Sequence, residues 1–210
     1  MFRMDLERFR MKPLMGILRG LLPEELEPLF DTILLSGLET VEITLNTPGA
    51  FKLIRRASRL YGKKLMIGAG TVLTVTDLRK ALDAGATFIV SPVLVRPVAR
   101  ECVKRKIPVF PGAFTPREVY DAWTAGASMV KIFPSGCLGP GYFRELKGPF
   151  RDVELLACSG VTPENVGEYF RSGASAVAVG SGIFRRDWIQ SRKFTLIRDK
   201  IQAYLKGFPE

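Results

Sequence analysis

A single lysine, Lys131, interrupts the otherwise apolar run Met129-Val130-Lys131-Ile132-Phe133-Pro134 in a 210-residue chain that contains no histidine. Desolvation in such a run disfavours the ammonium form, and the free amine is a nucleophile toward carbonyl carbon. Glu42, in Val41-Glu42-Ile43-Thr44, is a carboxyl group in an equally apolar setting. Burial favours its protonated form, which suits it to move protons among carbinolamine, imine and enamine. Without histidine, serine-histidine triads, imidazole catalysis and histidine-ligated zinc or iron are excluded, so proton transfer falls to Glu, Asp, Lys or Tyr. The competing reading is a buried ion pair with no chemical role, but such pairs stabilise poorly compared with apolar packing.

Other residues have the character of an anion site. Ser159-Gly160-Val161-Thr162-Pro163 reads as a loop opening a helix, and Gly180-Ser181-Gly182 follows another apolar run. Backbone N–H groups of such loops hold phosphates, although glycine is also ordinary in loops. Gly68-Ala69-Gly70-Thr71 offers tightly turned donors and a hydroxyl. Arg19, closing Ile17-Leu18-Arg19, is either a carboxylate or phosphate ligand or a surface cation. Asn46 either hydrogen-bonds a substrate or caps the turn before Pro48. Cys137 and Cys158 lack a basic partner that would make a thiolate, and Cys158 is a candidate for the pocket wall.

These residues must be carried on elements, and an internal repeat reveals which. Ser36-Gly37-Leu38, Ala84-Gly85-Ala86, Ala125-Gly126-Ala127 and Ser172-Gly173-Ala174 each end a helical stretch on a capping glycine. Each is followed by a short apolar strand: Thr40 to Thr44, Phe88 to Ser91, Met129 to Ile132 and Ala176 to Val179. Between them lie four more strand candidates, Leu14 to Leu18, Leu65 to Ala69, Val109 to Gly112 and Glu154 to Ala157. Amphipathic helices fill the intervals, among them Pro23 to Leu35, Thr76 to Ala84, Pro116 to Ala125 and Pro163 to Arg171. Eight alternating units predict a single-domain α/β chain, residues 1–210, folded as a (β/α)8 TIM barrel. A five-stranded open sheet of flavodoxin type is the weaker alternative.

The repeat also supplies a register. The fifth residue beyond each repeat glycine is Glu42, Val90, Lys131 or Ala178, equivalent points on the four even-numbered strands. Alternate barrel strands share interior layers, so amine and carboxyl should face one another with only Val90 and Ala178 beside them. Period-two alternation puts Thr44, Pro92, Phe133 and Gly180 one layer higher, at the carboxyl mouth.

Composition narrows the partners. The formal charge of +10 is spread through predicted helices without a dense basic run or a nucleic-acid motif. It suits a small anionic ligand better than nucleic acid. No stretch approaches a membrane-spanning length, and Arg19 interrupts the only apolar segment that could serve as a signal. Cys102, Cys137 and Cys158 are odd in number and widely spaced, as expected of a soluble, reduced, cytoplasmic protein.

From Gly16 to about Phe184 the chain resembles the 2-dehydro-3-deoxy-phosphogluconate (KDPG) and 4-hydroxy-2-oxoglutarate (KHG) aldolase family. The resemblance is carried by Ile17-Leu18-Arg19-Gly20, Val41-Glu42-Ile43-Thr44, Ile67-Gly68-Ala69-Gly70-Thr71-Val72, Val90-Ser91-Pro92, Phe110-Pro111-Gly112, Val130-Lys131-Ile132-Phe133-Pro134, Gly160-Val161-Thr162 and Val179-Gly180-Ser181. It implies a class I aldolase barrel, typically a homotrimer, using no metal or organic cofactor; the fold expected for the chain is the (β/α)8 barrel with an N-terminal helix. It also implies an imine between pyruvate and Lys131, acid-base chemistry by Glu42, and Thr71, Pro92 and Phe133 around the pyruvate moiety. Ser159, Gly160, Gly180 and Ser181 match the phosphate end, and Cys158 a position near the substrate C4 hydroxyl.

Two features depart from the phosphogluconate pattern. Asn46 stands where arginine is common, and Ser159-Gly160 replaces Gly-Gly. Arg19 with Leu45-Asn46-Thr47-Pro48 looks closer to the 2-dehydro-3-deoxy-6-phosphogalactonate aldolases, in which the arginine takes over anion binding. The expected reaction is reversible cleavage of a six-carbon 2-keto-3-deoxy-6-phospho sugar acid to pyruvate and glyceraldehyde 3-phosphate. A 4-hydroxy-2-oxoglutarate aldolase, a metal-free phosphosugar isomerase using Glu42, and a non-catalytic anion-binding barrel remain as alternatives.

Overall fold

A computed structural model describes residues 3–208; positions 1, 2, 209 and 210 of the expected 1–210 domain lie outside the described residues. Nine parallel strand segments run in the order β5-β4-β3-β2-β1-β9-β8-β7-β6. They are β1 (Leu14–Leu18), β2 (Thr40–Thr44), β3 (Met66–Gly70), β4 (Ile89–Val90), β5 (Val109–Phe110), β6 (Gly112–Ala113), β7 (Val130–Ile132), β8 (Leu155–Cys158) and β9 (Ala176–Val179).

The two ends of this order, β5 and β6, are halves of one extended strand interrupted at Pro111. Proline has no N–H for the ladder, so the strand expected as continuous from Val109 to Gly112 is broken there. Its carbonyl still accepts from the Lys131 N–H at 2.9 Å, and the Val109 carbonyl accepts from the Ser128 N–H at 2.8 Å. On the other side the Phe110 carbonyl accepts from the Ser91 N–H at 3.2 Å. The eight-stranded barrel therefore closes through this broken strand.

The repeat glycines behave as the C-caps they resemble. Gly37, Gly85, Gly126 and Gly173 have φ of 86°, 101°, 90° and 104°, the left-handed region that stops a helix and turns the chain into the next strand. The helix over Pro116–Thr124 shows how the opposite end is specified. Pro116 sits at its start, the Thr115 hydroxyl accepts from the Glu118 N–H at 3.3 Å, and the Glu118 carboxylate accepts from the Thr115 N–H at 2.8 Å. The stretch expected as a helix from Pro23 opens with a 3₁₀ turn, Pro23–Glu25, before the helix Leu26–Ser36. The helix expected from Pro163 begins only at Val166, because Pro163 to Asn165 form a turn.

Two hydrophobic layers result. The larger lies between the barrel's outer face and its helices, and the smaller fills the interior with residues such as Met15, Met66, Phe88, Val90, Met129, Ala176 and Ala178. An N-terminal helix, α1 (Leu6–Met11), belongs to the interior cluster. Its Phe9 is wholly buried and meets the ring of Phe110 edge-on at 5.9 Å, so α1 plugs one end of the barrel and keeps water out of the interior. We expect Phe9→Ala to cost about 3–5 kcal/mol of stability. Denaturant unfolding checks this; a loss below about 1 kcal/mol would mean that α1 is not a structural plug.

Candidate active site

The barrel register brings Lys131 and Glu42 together as the repeat predicts. Lys131 lies on β7 between Gly112 and Leu156, and Glu42 lies on β2 between Ile17 and Gly68. Lys131 Nζ is 3.9 Å from Glu42 Oε1, with the two side chains 9% and 1% exposed. Val90 and Ala178 belong to the same buried interior cluster. The amine also lies 5.4 Å from the centroid of the Phe133 ring.

Space for the carboxyl group is made by Gly70. A Cβ at that position would lie 2.7 Å from the Glu42 carboxyl carbon and one of its oxygens. Gly68 likewise leaves room for the Phe88 ring. The Oε2 atom of Glu42 is buried with no hydrogen-bond partner among the described residues. Burial pushes the Glu42 pKa up, against the opposing pull of the Lys131 and Arg19 charges. The Cys158 thiol, next to this pair, is also pushed up by burial, with Lys131 pulling the other way.

Above the pair opens a cavity of about 750 Å³. Among the residues expected at the site, Arg19, Phe133, Cys158, Ser159, Gly160, Gly180 and Ser181 lie on its wall. Lys131 and Glu42 do not line it, but Lys131 lies against two residues that do, Phe133 and Cys158. Pro92 borders a second cavity of about 300 Å³, and Phe133 stands between the two. Thr44 is buried, with its hydroxyl 3.4 Å from the Leu18 carbonyl, while Thr71 is half-buried beyond β3. Asn46 is exposed on the turn after β2 and lines neither cavity.

Side chains that the sequence patterns do not mark hold the mouth in shape. The Thr47 hydroxyl accepts from the Gly20 N–H at 2.9 Å and so fixes the turn that carries Arg19. Ser135, fully buried, donates to the carbonyls of Cys158 and Ser159 at 3.0 and 2.7 Å. Beside it Gly136 and Gly160 pack backbone to backbone, and a Cβ on Gly136 would lie 2.9 Å from the Gly160 Cα. The Pro134-Ser135-Gly136 turn composition was the one available signal for this clasp.

Two site residues adopt left-handed backbone without being glycine, Thr71 at φ 58° and Ser159 at φ 81°. Such conformations cost about 1–3 kcal/mol each and persist where the surroundings over-determine them. Because the helix Val166–Arg171 starts beyond the turn, the donors available to an anion are loop N–H groups rather than a helix end. Those of Gly160, Ser181 and Gly182 donate to no backbone carbonyl among the described residues.

A buried amine beside a carboxyl group, under a cavity edged with a guanidinium and free N–H groups, can form an imine with an anionic carbonyl compound. The model of the KDPG and KHG aldolase family matches residues 6–200. The chain belongs to this family. It is accordingly a carbon-carbon lyase. The 2-dehydro-3-deoxy-6-phosphogalactonate aldolase of Escherichia coli (strain K12) is 37% identical over 174 residues, 82% of this chain and 85% of that protein. A solved structure described as native KDPGal superposes with a TM-score of 0.87 at 34% identity, covering 93% of each chain. The KDPG aldolase from Legionella pneumophila, with pyruvate captured at low pH as a covalent carbinolamine intermediate, superposes with a TM-score of 0.85 at 27% identity. It covers 91% of this chain and 93% of that one.

The burial of Glu42 makes the aldolase's stability depend on pH. A carboxyl group whose pKa is raised on folding contributes stability in full below its unfolded value and loses it as pH rises through the folded value. Starting from the ordinary 4.5, Glu42 therefore weakens the fold progressively as pH increases. We expect the stability of Glu42→Gln relative to the parent protein to grow with pH above that point and then level off. Urea unfolding across pH reads this, and a pH-independent difference would refute the desolvation argument.

Proposed function

We propose that this aldolase reversibly cleaves a 2-dehydro-3-deoxy-6-phosphohexonate to pyruvate and glyceraldehyde 3-phosphate, with Lys131 as the imine-forming residue and Glu42 as the proton carrier. The observation that carries this reading is the buried approach of Lys131 Nζ to Glu42 Oε1 at 3.9 Å. In this scheme Nζ adds to the C2 carbonyl, and Glu42 delivers a proton to the carbinolamine hydroxyl, which leaves as water. The protonated imine then accepts the electron pair of the C3–C4 bond while the C4 hydroxyl gives its proton to Glu42. Glyceraldehyde 3-phosphate departs, Glu42 returns the proton to C3 of the enamine, and hydrolysis frees pyruvate and the amine.

The remaining wall follows the substrate's polarity. Arg19 is the ligand of an anionic end, and the Ser159-Gly160 and Gly180-Ser181 loops offer N–H groups to the phosphate. Phe133 and Pro92 shield the imine from bulk water, with Thr71 beside the pyruvate moiety. Cys158 reaches the region of C4. The galactonate series is favoured by the identity to the E. coli protein and by the arginine closing β1.

On the same reading the chain is a single domain that works without metal or organic cofactor. The three free cysteines support a cytoplasmic setting, and the family resemblance supports a homotrimer.

Borohydride reduction in the presence of pyruvate should attach the three-carbon unit to the peptide containing Lys131, as read by peptide mass analysis. The adduct should be absent from Lys131→Ala, whereas Glu42→Gln should bind pyruvate and lose most of its cleavage. General acid-base groups contribute about 10²- to 10⁴-fold, which sets the expected loss. An adduct on another lysine, or full turnover by Glu42→Gln, would overturn the assignment. Side-by-side kinetics with the gluconate and galactonate phosphates and 4-hydroxy-2-oxoglutarate should show the highest kcat/KM for the galactonate epimer. Preference for either other substrate reverses the choice.

A further inference from the structure

A second guanidinium lies on the wall of the 750 Å³ cavity: Arg186, at the start of the short helix Arg186–Gln190, four positions beyond the Gly180-Ser181-Gly182 loop. Its Nη1 is 2.7 Å from Glu25 Oε2, with the two side chains 40% and 10% exposed. The same Glu25 oxygen accepts from the Leu22 N–H at 2.8 Å, so the carboxylate is itself fixed to the turn that follows β1. Arg186 is thus tethered along one edge of its planar fork, leaving its other donors for the cavity.

The neighbouring arginine makes a built-in contrast. Arg185 spends its guanidinium on Asp187, at 3.0 and 2.9 Å, and stacks on the Trp188 ring at 4.9 Å. It does not border the cavity.

We infer that Arg186 is a specificity-determining residue that grips the substrate's terminal phosphate together with the Ser159-Gly160 and Gly180-Ser181 loops. This rests on the function proposed above, and it adds a charge to a phosphate site otherwise made of neutral N–H groups. A cationic ligand distinguishes a dianionic phosphate from an unphosphorylated end far more strongly than neutral donors do. A site with Arg186 in it therefore discriminates against unphosphorylated aldehydes. Arg19 supplies the second positive charge on the same wall, so a substrate ionised at both ends meets a cation at each.

The test compares the parent protein with Arg186→Ala, Arg186→Lys and Arg185→Ala. In the aldol direction, Arg186→Ala should raise KM for glyceraldehyde 3-phosphate by about 10- to 100-fold, the loss expected for one charged hydrogen-bonding partner. Its KM for glyceraldehyde and its exchange of pyruvate C3 hydrogens with solvent should be unchanged. Arg186→Lys should recover part of the preference, and Arg185→Ala should keep all of it. Titration with inorganic phosphate, followed by calorimetry, reads the same site without turnover and should show weakened binding only in the Arg186 variants.

Equal effects on both aldehydes, or unaltered phosphate binding by Arg186→Ala, would overturn the inference. A parent protein that binds phosphate through Arg186 but fails to exchange pyruvate would break the Lys131 mechanism and leave this assignment standing.

Discussion

Keeping Lys131 and Glu42 within 3.9 Å of one another in a dry interior is the constraint around which the barrel is organised. Removing two such groups from water costs several kcal/mol each, and their mutual attraction recovers it only in part. One Glu42 oxygen has no hydrogen-bond partner among the described residues, so its share of the cost is not relieved by hydrogen bonding there. The surrounding apolar packing must make up the difference. Beneath the pair the interior is filled by Phe88, Met129 and Ala176, then sealed by Phe9 of α1 against Phe110. The missing side chain of Gly70 decides where the carboxyl group can lie, and that of Gly68 decides where the Phe88 ring can lie. Stability and reactivity are therefore linked through the same two strands.

The mouth is held by a different physics. Its contacts are single hydroxyls bridging consecutive loops: Thr47 to Gly20, and Ser135 to Cys158 and Ser159. Each fixes the backbone from which a binding group projects, Arg19 in the first case and the Ser159-Gly160 N–H groups in the second. The close contact between Gly136 and Gly160 locks the latter loop further. Such over-determination explains how Ser159 tolerates a left-handed backbone that glycine would adopt freely. The strain sits where donor direction matters most.

What could be read from the sequence follows from which interactions are periodic. Glycine C-caps recur at equivalent points of a repeated unit, so Gly37, Gly85, Gly126 and Gly173 carried both the strand count and the register that joins Glu42 to Lys131. The strands Leu14–Leu18, Thr40–Thr44 and Ala176–Val179 coincide with their expected bounds because each is a short, mainly apolar run with no proline to break its ladder. Pro111 breaks its strand because hydrogen bonding, which hydropathy does not record, defines strands. The late start of the helix at Val166 arises similarly. Asn165 accepts from the Thr162 N–H at 2.7 Å and donates to the Gly160 carbonyl at 3.0 Å, a local competition with helix formation. Thr47, Ser135 and Arg186 act through partners distant in sequence, respectively Gly20, Cys158 with Ser159, and Glu25, and no spacing rule identifies such pairs. Asn46 is exposed and lines neither cavity, so its proposed part as a ligand rests on its type and position alone.

Imine chemistry and anion binding make different demands on their surroundings. A nucleophilic amine needs desolvation, whereas an arginine that receives an anion from solution needs access to water. A substrate carrying a carboxylate and a phosphate needs cations to bind at all. The barrel separates the two by depth. Arg19 is exposed at the mouth and Arg186 half-exposed, so water screens their charges, while Cys158 and Phe133 are the residues of the same wall that lie against Lys131. Inside, the Arg19 charge acts on Glu42 and on the Cys158 thiol, in both cases opposing the rise caused by burial. That opposition tempers the carboxyl group's affinity for its proton, which suits a residue that must both take a proton from oxygen and return one to carbon.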